Sequence, residues 1–254
     1  MRIGKQDRRF SALSTSTPEA INVRGKDLCG ELIGQTDFTS YFWFLVTGRQ
    51  PDETQRFFAD AVLTAIAEHG LVPSVVAARM TYAAAPEAFQ GAVAAGLLGC
   101  GTVVLGSAET AGRFLAGLVE SGEDPGAAIS RLRAEKKAIP GFGHPLHAGG
   151  DPRANLLLRL ADQKGAVGPH IKMLRSIKAA LPDALGRDLP INVNGAIPAV
   201  MLDVGFPLAA LKGISLLART ASLIAHLNEE AERPIGFILS GEAAAAIEYD
   251  GPEG

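Results

Sequence analysis

The stretch Ala138–Ala154, "AIPGFGHPLHAGGDPRA", gathers polar and flexible residues between segments with a helical pattern. It contains two histidines, His144 and His147, four glycines, and the triplet Asp-Pro-Arg at 151–153. Aspartate followed by proline is typical of a helix N-cap and first helical position, so the stretch predicts a glycine-rich loop that ends where a helix begins. A histidine in this loop, with a planar bidentate donor nine residues later, suits a carboxylate substrate. A solvated turn with a structural histidine is the alternative.

The helical pattern extends in both directions from this loop. The segment 52–70, "DETQRFFADAVLTAIAEHG", places its apolar residues on one side. Asp124-Pro125 repeats the N-cap pattern, and 206–232, "FPLAALKGISLLARTASLIAHLNEEAE", reads as a long helix interrupted by Arg219 and His226. Strand signals are scarce, so the sequence predicts an all-α fold.

The segment 87–106, "EAFQGAVAAGLLGCGTVVLG", is small and apolar on all sides. Such a pattern is typical of a helix that is buried on every face, and small residues permit close approach of a neighbouring helix. We therefore expect a buried helix near 91–105 whose small residues would let a second subunit approach closely.

Composition excludes several classes of function. The chain has 254 residues, 47% hydrophobic content and a formal net charge of −3, which predicts a globular protein that binds neither nucleic acid nor a membrane. No run reaches the roughly 18 apolar residues of a membrane span. The two cysteines, Cys29 and Cys100, are expected to be buried thiols in a reducing, cytoplasmic compartment. No His, Cys or Asp cluster has metal-ligand spacing, so no metal is predicted.

Four motifs in a fixed order resemble the citrate synthase family. The first three are the segments 23–51, "VRGKDLCGELIGQTDFTSYFWFLVTGRQP", and 68–74, "EHGLVPS", and the loop G-x-G-H followed by D-P-R. The fourth is 214–226, "ISLLARTASLIAH", in which Ser222 stands where the family usually has glycine. Two further segments, 92–112 and 189–207, are more similar to the citryl-CoA lyase module of ATP-citrate lyase than to ordinary citrate synthase.

The resemblance implies a helical homodimer with two domains. A large dimerisation domain is expected at 21–108 and 208–254, and a small domain that closes over coenzyme A at 109–207. Residues 1–20 are expected to form a mobile N-terminal arm. The implied reaction joins or separates an acetyl-CoA carbon and a 2-oxo acid carbonyl, so CoA takes part as an acyl-CoA substrate.

Site residues follow from the same resemblance, position by position. His144 corresponds to the residue that hydrogen-bonds the oxaloacetate carbonyl. The residues expected to bind the di- or tricarboxylate are His69, His144, Arg153, Arg219 and, from the partner subunit, Arg233. Those expected to bind CoA are Pro140, Gly141, Phe142, Gly143 and Asn192. Pro145 and His147 replace the residues that the family has after the loop histidine, which predicts altered contacts with CoA.

Two catalytic positions depart from the family pattern. Leu105 occupies the place of a histidine that holds the thioester oxygen, and Asn194, in "NVNG", the place of an aspartate that moves the proton at the acetyl carbon. An amide cannot accept a proton as a carboxylate does, although it forms hydrogen bonds. Asp203 is predicted to be a poor substitute for the missing base, and His170 and His226 to be structural or exposed.

Three explanations for Asn194 stay open. The chain is an altered lyase, or it uses another acyl-CoA or oxo acid with another base, or it binds ligands without catalysis. Retention of the carboxylate-binding residues favours an enzyme similar to citryl-CoA lyase. A catalytically impaired binding homologue and a citrate synthase are the alternatives.

Overall fold

The computed structural model describes residues 10–103, 105–143 and 150–252. Within them it has eleven α-helices and three short strands, which confirms the predicted all-α fold. The helices are α1 Phe38–Thr47, α2 Glu53–Ala67, α3 Pro73–Ala84, α4 Phe89–Leu98, α5 Ser107–Ser121, α6 Pro125–Ala134, α7 Pro152–Gln163, α8 Pro169–Leu185, α9 Val193–Asp203, α10 Leu211–Glu232 and α11 Gly236–Ala246. The strands are β1 Ser14–Ser16, β2 Ile21–Val23 and β3 Lys26–Asp27.

The chain divides into two compact units, Met1–Asp60 and Ala61–Gly254, and the division falls within α2. In the first unit, β1, β2 and β3 form an antiparallel sheet in that order. β1 lies inside the predicted N-terminal arm. It pairs with β2 because a turn after Thr17 reverses the chain, with the Thr17 hydroxyl accepting a hydrogen bond from the Ala20 amide (3.1 Å). The predicted domains at 21–108 with 208–254 and at 109–207 stay a prediction.

A side chain caps the N-terminus of α1, and a glycine ends the helix at its C-terminus. Asp37 caps the N-terminus by accepting from the Ser40 amide (2.8 Å), and Gly48 ends the helix in a left-handed conformation with φ of 76°. The Arg24 guanidinium donates to the Leu45 carbonyl near the C-terminal end (2.7 Å from Nη2). This arrangement stabilises the sheet against the helix within the first unit.

The second unit contains two groups of packed helices. In one, α3 packs against α4, α10 and α11, around a core cluster of buried residues. In the other, α9 packs against α5, α7 and α8, and α6 packs against α8. The core cluster of the first group consists of Val75, Ala78, Ala92, Leu223 and Leu227.

Two predicted helix starts are confirmed at atomic level. The Asp124 side chain accepts a hydrogen bond from the Ala127 amide, and the Asp151 side chain from the Arg153 amide, with proline as the first helical residue in both cases. The long C-terminal helix begins later than predicted, at Leu211, because a 3₁₀ turn over Leu208–Ala210 precedes it.

The helix predicted near 91–105 is shorter than expected and is not buried on every side within one chain. α4 ends at Leu98, and its Ala92 and Gly96 are buried. Leu98 is 86% exposed and Val103, after the helix, is 88% exposed. The burial predicted for Cys29 is wrong, because the side chain lies on the short π-helical turn Leu28–Leu32 of the first unit and is exposed, whereas Cys100 is buried.

The segment Leu208–Glu232, which contains α10, is long and apolar enough to cross a membrane by length and composition alone. It contains the buried charged residues Arg219 and Glu230, and α10 packs against α3, α4 and α5. The central helix of a globular domain meets the same criteria of length and composition. The absence of a membrane partner stays a prediction.

Candidate functional site

The described part of the glycine-rich loop is joined to the segment before α9. The Gly143 amide donates to the Pro190 carbonyl (2.8 Å), and the Asn192 amide donates to the Gly141 carbonyl (3.0 Å). The Asn192 side-chain amide donates to the Gly143 carbonyl (2.7 Å), while its oxygen accepts from the Gly195 amide (3.1 Å). Asn192 therefore both caps α9 and holds the loop in place.

Glycine is required at the point where the loop meets α9. Gly141 has a φ of +87°, and a β-carbon there would lie 2.7 Å from the α-carbon of Gly195. A β-carbon on Gly195 would in turn lie 2.5 Å from the Gly141 carbonyl oxygen. Because neither backbone has room for a side chain, both glycines are needed for this contact.

Asp151 connects the start of α7 with the start of α9. Its buried carboxylate accepts from the Val193 amide (3.0 Å) and from Nε and Nη2 of Arg153 (3.1 and 3.0 Å). Burial alone would raise the pKa of Asp151, but the hydrogen bonds from Arg153 and Val193 outweigh it and hold the pKa below its usual range. Two of the three guanidinium nitrogens of Arg153, a predicted substrate ligand, are therefore engaged by Asp151.

Asn194 is the second residue of α9 and has a partly exposed side chain. The other residues from Val193 to Met201 are all buried. Because Asp151 holds the Val193 amide and Asn192 caps the helix, the backbone that carries Asn194 is fixed. The amide that replaces the expected aspartate thus sits on a rigid helix N-terminus. We call residues 141–143, Asp151, Arg153, Asn192 and Asn194 the loop site.

Leu105 lies just before α5, with a φ of +65°. A positive φ is uncommon for a residue with a side chain and is often found near functional positions. The Gly106 amide, next along the chain, donates to the Gly101 carbonyl (2.9 Å) and closes the turn. His144, Pro145 and His147 lie outside the described residues, so their predicted roles stay predictions.

A second group of predicted site residues surrounds Arg219 on α10. Arg219 is only 3% exposed, and its Nη1 donates to the Ser222 hydroxyl (3.3 Å). Its Nε is buried and donates to no atom in the described part of the chain. Burial lowers the pKa of Arg219, and the negative charge of Glu68 opposes this shift. The result is a buried cation with unused hydrogen-bonding capacity.

Glu68 follows α2 and contacts both its own loop and α10. One carboxylate oxygen accepts from the amides of His69 (2.9 Å) and Gly70, and the other accepts from the Ser222 hydroxyl (2.6 Å) and lies 3.0 Å from His226 Nε2. Burial opposes ionisation, but the hydrogen bonds from Ser222, Gly70 and His226 lower the pKa of Glu68 to about 2. The exposed His69 is thereby held next to α10.

Arg79 on α3 extends this group toward the end of α10. It is buried, and its Nε donates to Glu230 (2.6 Å) and its Nη2 to the Arg233 carbonyl (3.2 Å). Its Nη1 donates to Glu229 (2.8 Å) and lies 3.3 Å from His226 Nδ1. The backbone of Arg233, the residue expected to serve the partner subunit, is thus anchored while its side chain is exposed. We call Glu68, Arg79, Arg219, Ser222, His226 and Glu230 the Glu68 cluster.

The contacts of Asp203 and His170 agree with the predictions that Asp203 is a poor substitute for the missing base and that His170 is structural or exposed. The buried carboxylate of Asp203 accepts from the amides of Gly168, His170 and Ile171 at the start of α8 and lies 2.8 Å from His170 Nδ1. Burial alone would raise the pKa of Asp203, but these hydrogen bonds outweigh it and keep the pKa below its ordinary value. Its capacity as an acceptor is used for capping α8, so Asp203 is not a free base.

A basic cavity of about 520 Å³ lies beside the loop site. Phe142 and Gly143 line one part of it, and the remainder includes the basic residues Arg133, Lys136, Lys137 and Arg187. Sequence analysis did not identify these four residues, although the pair of lysines just before the loop was a visible signal. The described lining of the cavity contains no acidic residue and lies next to residues expected to bind CoA. Among the described residues, no group of three His, Cys, Asp or Glu side chains could hold a metal ion.

Comparisons with known proteins all point to the same family. Residues 13–236 match the family described as "Citrate synthase, C-terminal domain". Citrate synthase of Haloferax volcanii is 24% identical over 193 residues, which cover 75% of this chain and 51% of that protein. The chain spans about half the length, or less, of the curated relatives it matches.

Two solved structures share the fold. Citryl-CoA lyase from Hydrogenobacter thermophilus superposes with a TM-score of 0.88 at 28% identity, covering 100% of this chain and 96% of that one. ATP citrate lyase from Methanothrix soehngenii, in complex with citrate and coenzyme A, has a TM-score of 0.83 at 22% identity, covering 99% of this chain and 43% of that one. The predicted resemblance to citryl-CoA lyase and to the module of ATP-citrate lyase is confirmed, and the chain belongs to the citrate synthase family.

Proposed function

We propose that this protein is a CoA-dependent carbon-carbon lyase or synthase that interconverts citryl-CoA with acetyl-CoA and oxaloacetate, or acts on a related 3-hydroxyacyl-CoA. The similarity to a citryl-CoA lyase over nearly all of both chains supports this reaction over others in the family. The reactants carry carboxylates on the citryl group or oxaloacetate and phosphates on CoA. The two sites described above supply suitable groups for each.

The observation that carries the proposal is that Arg219 is buried and that its Nε has no hydrogen-bond partner among the described residues. A buried guanidinium with an unpaired Nε is costly unless an anion completes its hydrogen bonds. A substrate carboxylate has the planar shape and charge that fit a guanidinium. His69 is held next to α10 by Glu68, so it is available to contact the same ligand.

The basic cavity supports acyl-CoA as the second ligand. Arginine and lysine side chains bind phosphate through charge-assisted hydrogen bonds, and CoA carries several phosphates. Arg133, Lys136, Lys137 and Arg187 would bind them, while residues 141–143 border the reactive end of the ligand. This assignment adds four residues to the CoA contacts expected at Pro140, Gly141, Phe142, Gly143 and Asn192.

Cleavage of citryl-CoA removes a proton from the hydroxyl group and breaks the bond between the carbinol carbon and the acetyl carbon. The electron pair moves to the acetyl thioester as an enolate, which then takes up a proton at carbon. In the proposed arrangement, His144 accepts the hydroxyl proton and then donates it in a hydrogen bond to the same oxygen, which becomes the oxaloacetate carbonyl. Asn194 donates a hydrogen bond and positions a water as the proton donor to the acetyl carbon, because an amide does not itself deliver a proton as a carboxylic acid does.

A binding homologue without catalysis is the second candidate, and Asn194 is the observation that favours it. A citrate synthase is a further alternative, supported by the names of relatives at low identity. The deciding assay follows release of acetyl-CoA and oxaloacetate from citryl-CoA, and CoA release in the condensing direction, for the wild type and His144→Ala. Activity lost in His144→Ala supports the enzyme. Absence of activity in the wild type, with carboxylate binding retained, favours the binding homologue.

The homodimer and its location are part of the same proposal. Exposed apolar residues on and after α4, Leu98 and Val103, would be covered by a second subunit, to whose site Arg233 would contribute. The compartment is expected to be cytoplasmic. Light scattering at micromolar concentration should give the mass of a dimer, about twice 26.5 kDa, whereas the mass of one chain would contradict the shared site.

A further inference from the structure

Glu68 contacts two elements that carry different predicted substrate residues. One of its oxygens accepts from the amides of His69 and Gly70, and the other accepts from Ser222 on α10. The loop after α2 and the helix that carries Arg219 are therefore joined through a single carboxylate. Its low pKa means that this carboxylate is ionised at neutral pH and can accept all of these hydrogen bonds.

The hydroxyl of Ser222 connects this carboxylate to Arg219. It donates to Glu68 (2.6 Å) and accepts from Arg219 Nη1 (3.3 Å), so the group uses both of its hydrogen-bonding functions. Glycine, the residue usual for the family at this position, has no side chain that could make either bond. This chain thus has a connection between Glu68 and Arg219 that a glycine would not provide.

His226 supports Glu68 from one turn further along α10. Its Nδ1 lies 3.3 Å from Arg79 Nη1, and a guanidinium has only donors, so in this geometry Nδ1 accepts and Nε2 carries the hydrogen. Nε2 then donates to Glu68 at 3.0 Å. Two donors from α10 consequently bind the same carboxylate oxygen and restrict its position.

We propose that Glu68 and Ser222 are positioning residues that fix His69 and Arg219 relative to each other for binding of a substrate carboxylate. The proposal rests on the proposed function for the identity of the ligand. Arg219 has a long side chain with several torsions, and a ligand that finds it already oriented loses less conformational entropy on binding. Ser222 supplies this orientation without engaging Nε, which stays available for the ligand.

The first experiment needs no ligand and measures hydrogen exchange of backbone amides in the peptide 66–73. Ser222→Ala removes one bond from Glu68, so the amides of His69 and Gly70 should exchange at least about fivefold faster, as expected for a local opening that has lost a hydrogen bond. Ser222→Thr keeps the hydroxyl and should restore slow exchange. Ser215→Ala is the matched control, since Ser215 is buried on the same helix but does not belong to the Glu68 cluster.

The second experiment measures the dissociation constants of oxaloacetate and citrate by calorimetry for the same three variants. Ser222→Ala should weaken binding about tenfold, the scale of one hydrogen bond to a charged group. Ser222→Thr should stay within about threefold of the wild type, and Ser215→Ala should not change affinity. In the citryl-CoA assay, the effect of Ser222→Ala should appear in KM, with kcat changed by less than about threefold.

The two experiments distinguish failure of the positioning role from failure of the proposed function. Equal exchange at 66–73 in the wild type and Ser222→Ala would overturn the positioning role, whatever the ligand. The role would also be overturned if the wild type binds oxaloacetate or citrate and Ser222→Ala exchanges faster at 66–73 but binds them with unchanged affinity. A wild type that binds neither compound would overturn the proposed function, and the exchange result would then show separately whether Glu68 holds the His69 loop.

Discussion

The loop site and the Glu68 cluster each contain a predicted substrate arginine, but the two arginines are in different states. Arg153 is 24% exposed at its side chain, and Asp151 already binds two of its nitrogens. Arg219 is almost fully buried and its Nε has no partner in the described residues. Asp151 thus neutralises the guanidinium at the loop site, whereas the one in the Glu68 cluster keeps a buried donor without a partner among the described residues.

The two regions also differ in how closely they follow the family pattern. The loop site carries Asn194, and the turn before α5 carries Leu105, so positions expected to act on the reacting atoms are altered. The Glu68 cluster retains Arg219 and the neighbouring His69, which are expected to bind the carboxylate. In this protein, binding of substrate and chemistry at the acetyl carbon are therefore expected to respond separately to mutation.

The largest expected effect is at Asn194. Asn194→Asp introduces a carboxylate at the start of α9 and should raise the rate of citryl-CoA cleavage by roughly 10²–10⁴-fold, the range of general acid-base catalysis. The measurement is acetyl-CoA and oxaloacetate release, with His144→Ala in the same background as the control. A lower rate in Asn194→Asp would show that the site serves another substrate, because a new negative charge near an enolate is repulsive.

Removal of Asp151 should cause the next largest effect, on stability. Asp151→Ala leaves the Val193 amide and the Arg153 guanidinium without their buried acceptor, and it also removes the N-cap of α7. We expect the free energy of unfolding in urea to fall by about 2–4 kcal/mol. Asp162→Ala is the control, since this exposed carboxylate pairs with Arg175 near the end of α7 and its loss should leave the free energy of unfolding nearly unchanged. Equal losses would contradict a structural role specific to Asp151.

Arg219 should matter most for affinity. Arg219→Ala should weaken oxaloacetate or citrate binding by about 1.5–3 kcal/mol, the range for lost charge-assisted hydrogen bonds. Arg153→Ala should weaken it less, because Asp151 engages two of its nitrogens, and should also lower stability by leaving Asp151 unpaired. Calorimetry and urea unfolding of both variants test the difference. A stronger affinity loss in Arg153→Ala would reverse the comparison.

The smallest expected effect is the pH dependence of stability at Glu68. The pKa of Glu68 falls from 4.5 to about 2 on folding, so the folded state binds fewer protons between these values. Its contribution to stability is therefore complete above pH 4.5 and disappears as the pH falls toward 2. The contribution should be below about 1 kcal/mol, because the side chain is 53% exposed and solvent screens its charge. The difference between unfolding curves of wild type and Glu68→Gln, measured from pH 7 to pH 2.5, should decrease with acidification.

Local features of the fold could be predicted from the sequence. The N-caps at Asp124 and Asp151 are encoded by neighbouring residues, since the capping side chain and the proline that follows it act within one turn. The pairing of β1 with β2 was not predicted, because strands of three residues leave too short a pattern. Exposure of Cys29 was also not predicted, since apolar neighbours in sequence do not fix the direction of a side chain.

The candidate site could be predicted only where a motif carries its residues. Arg219 and Arg153 were assigned roles because they belong to motifs, whereas Glu68, Arg79 and Glu230 were not assigned roles. Arg79 and Glu230 are 151 positions apart, and only the packing of α3 against α10 brings them together. A lone arginine inside the apolar run of α3 was the available signal, because a buried charge requires a partner.

The contact between Gly141 and Gly195 limits how these two parts of the protein can move. Two backbones that touch without side chains, and that share hydrogen bonds between 141–143 and 190–192, cannot slide or separate without breaking several interactions at once. We therefore expect the segments 141–143 and 190–195 to move together as one rigid unit.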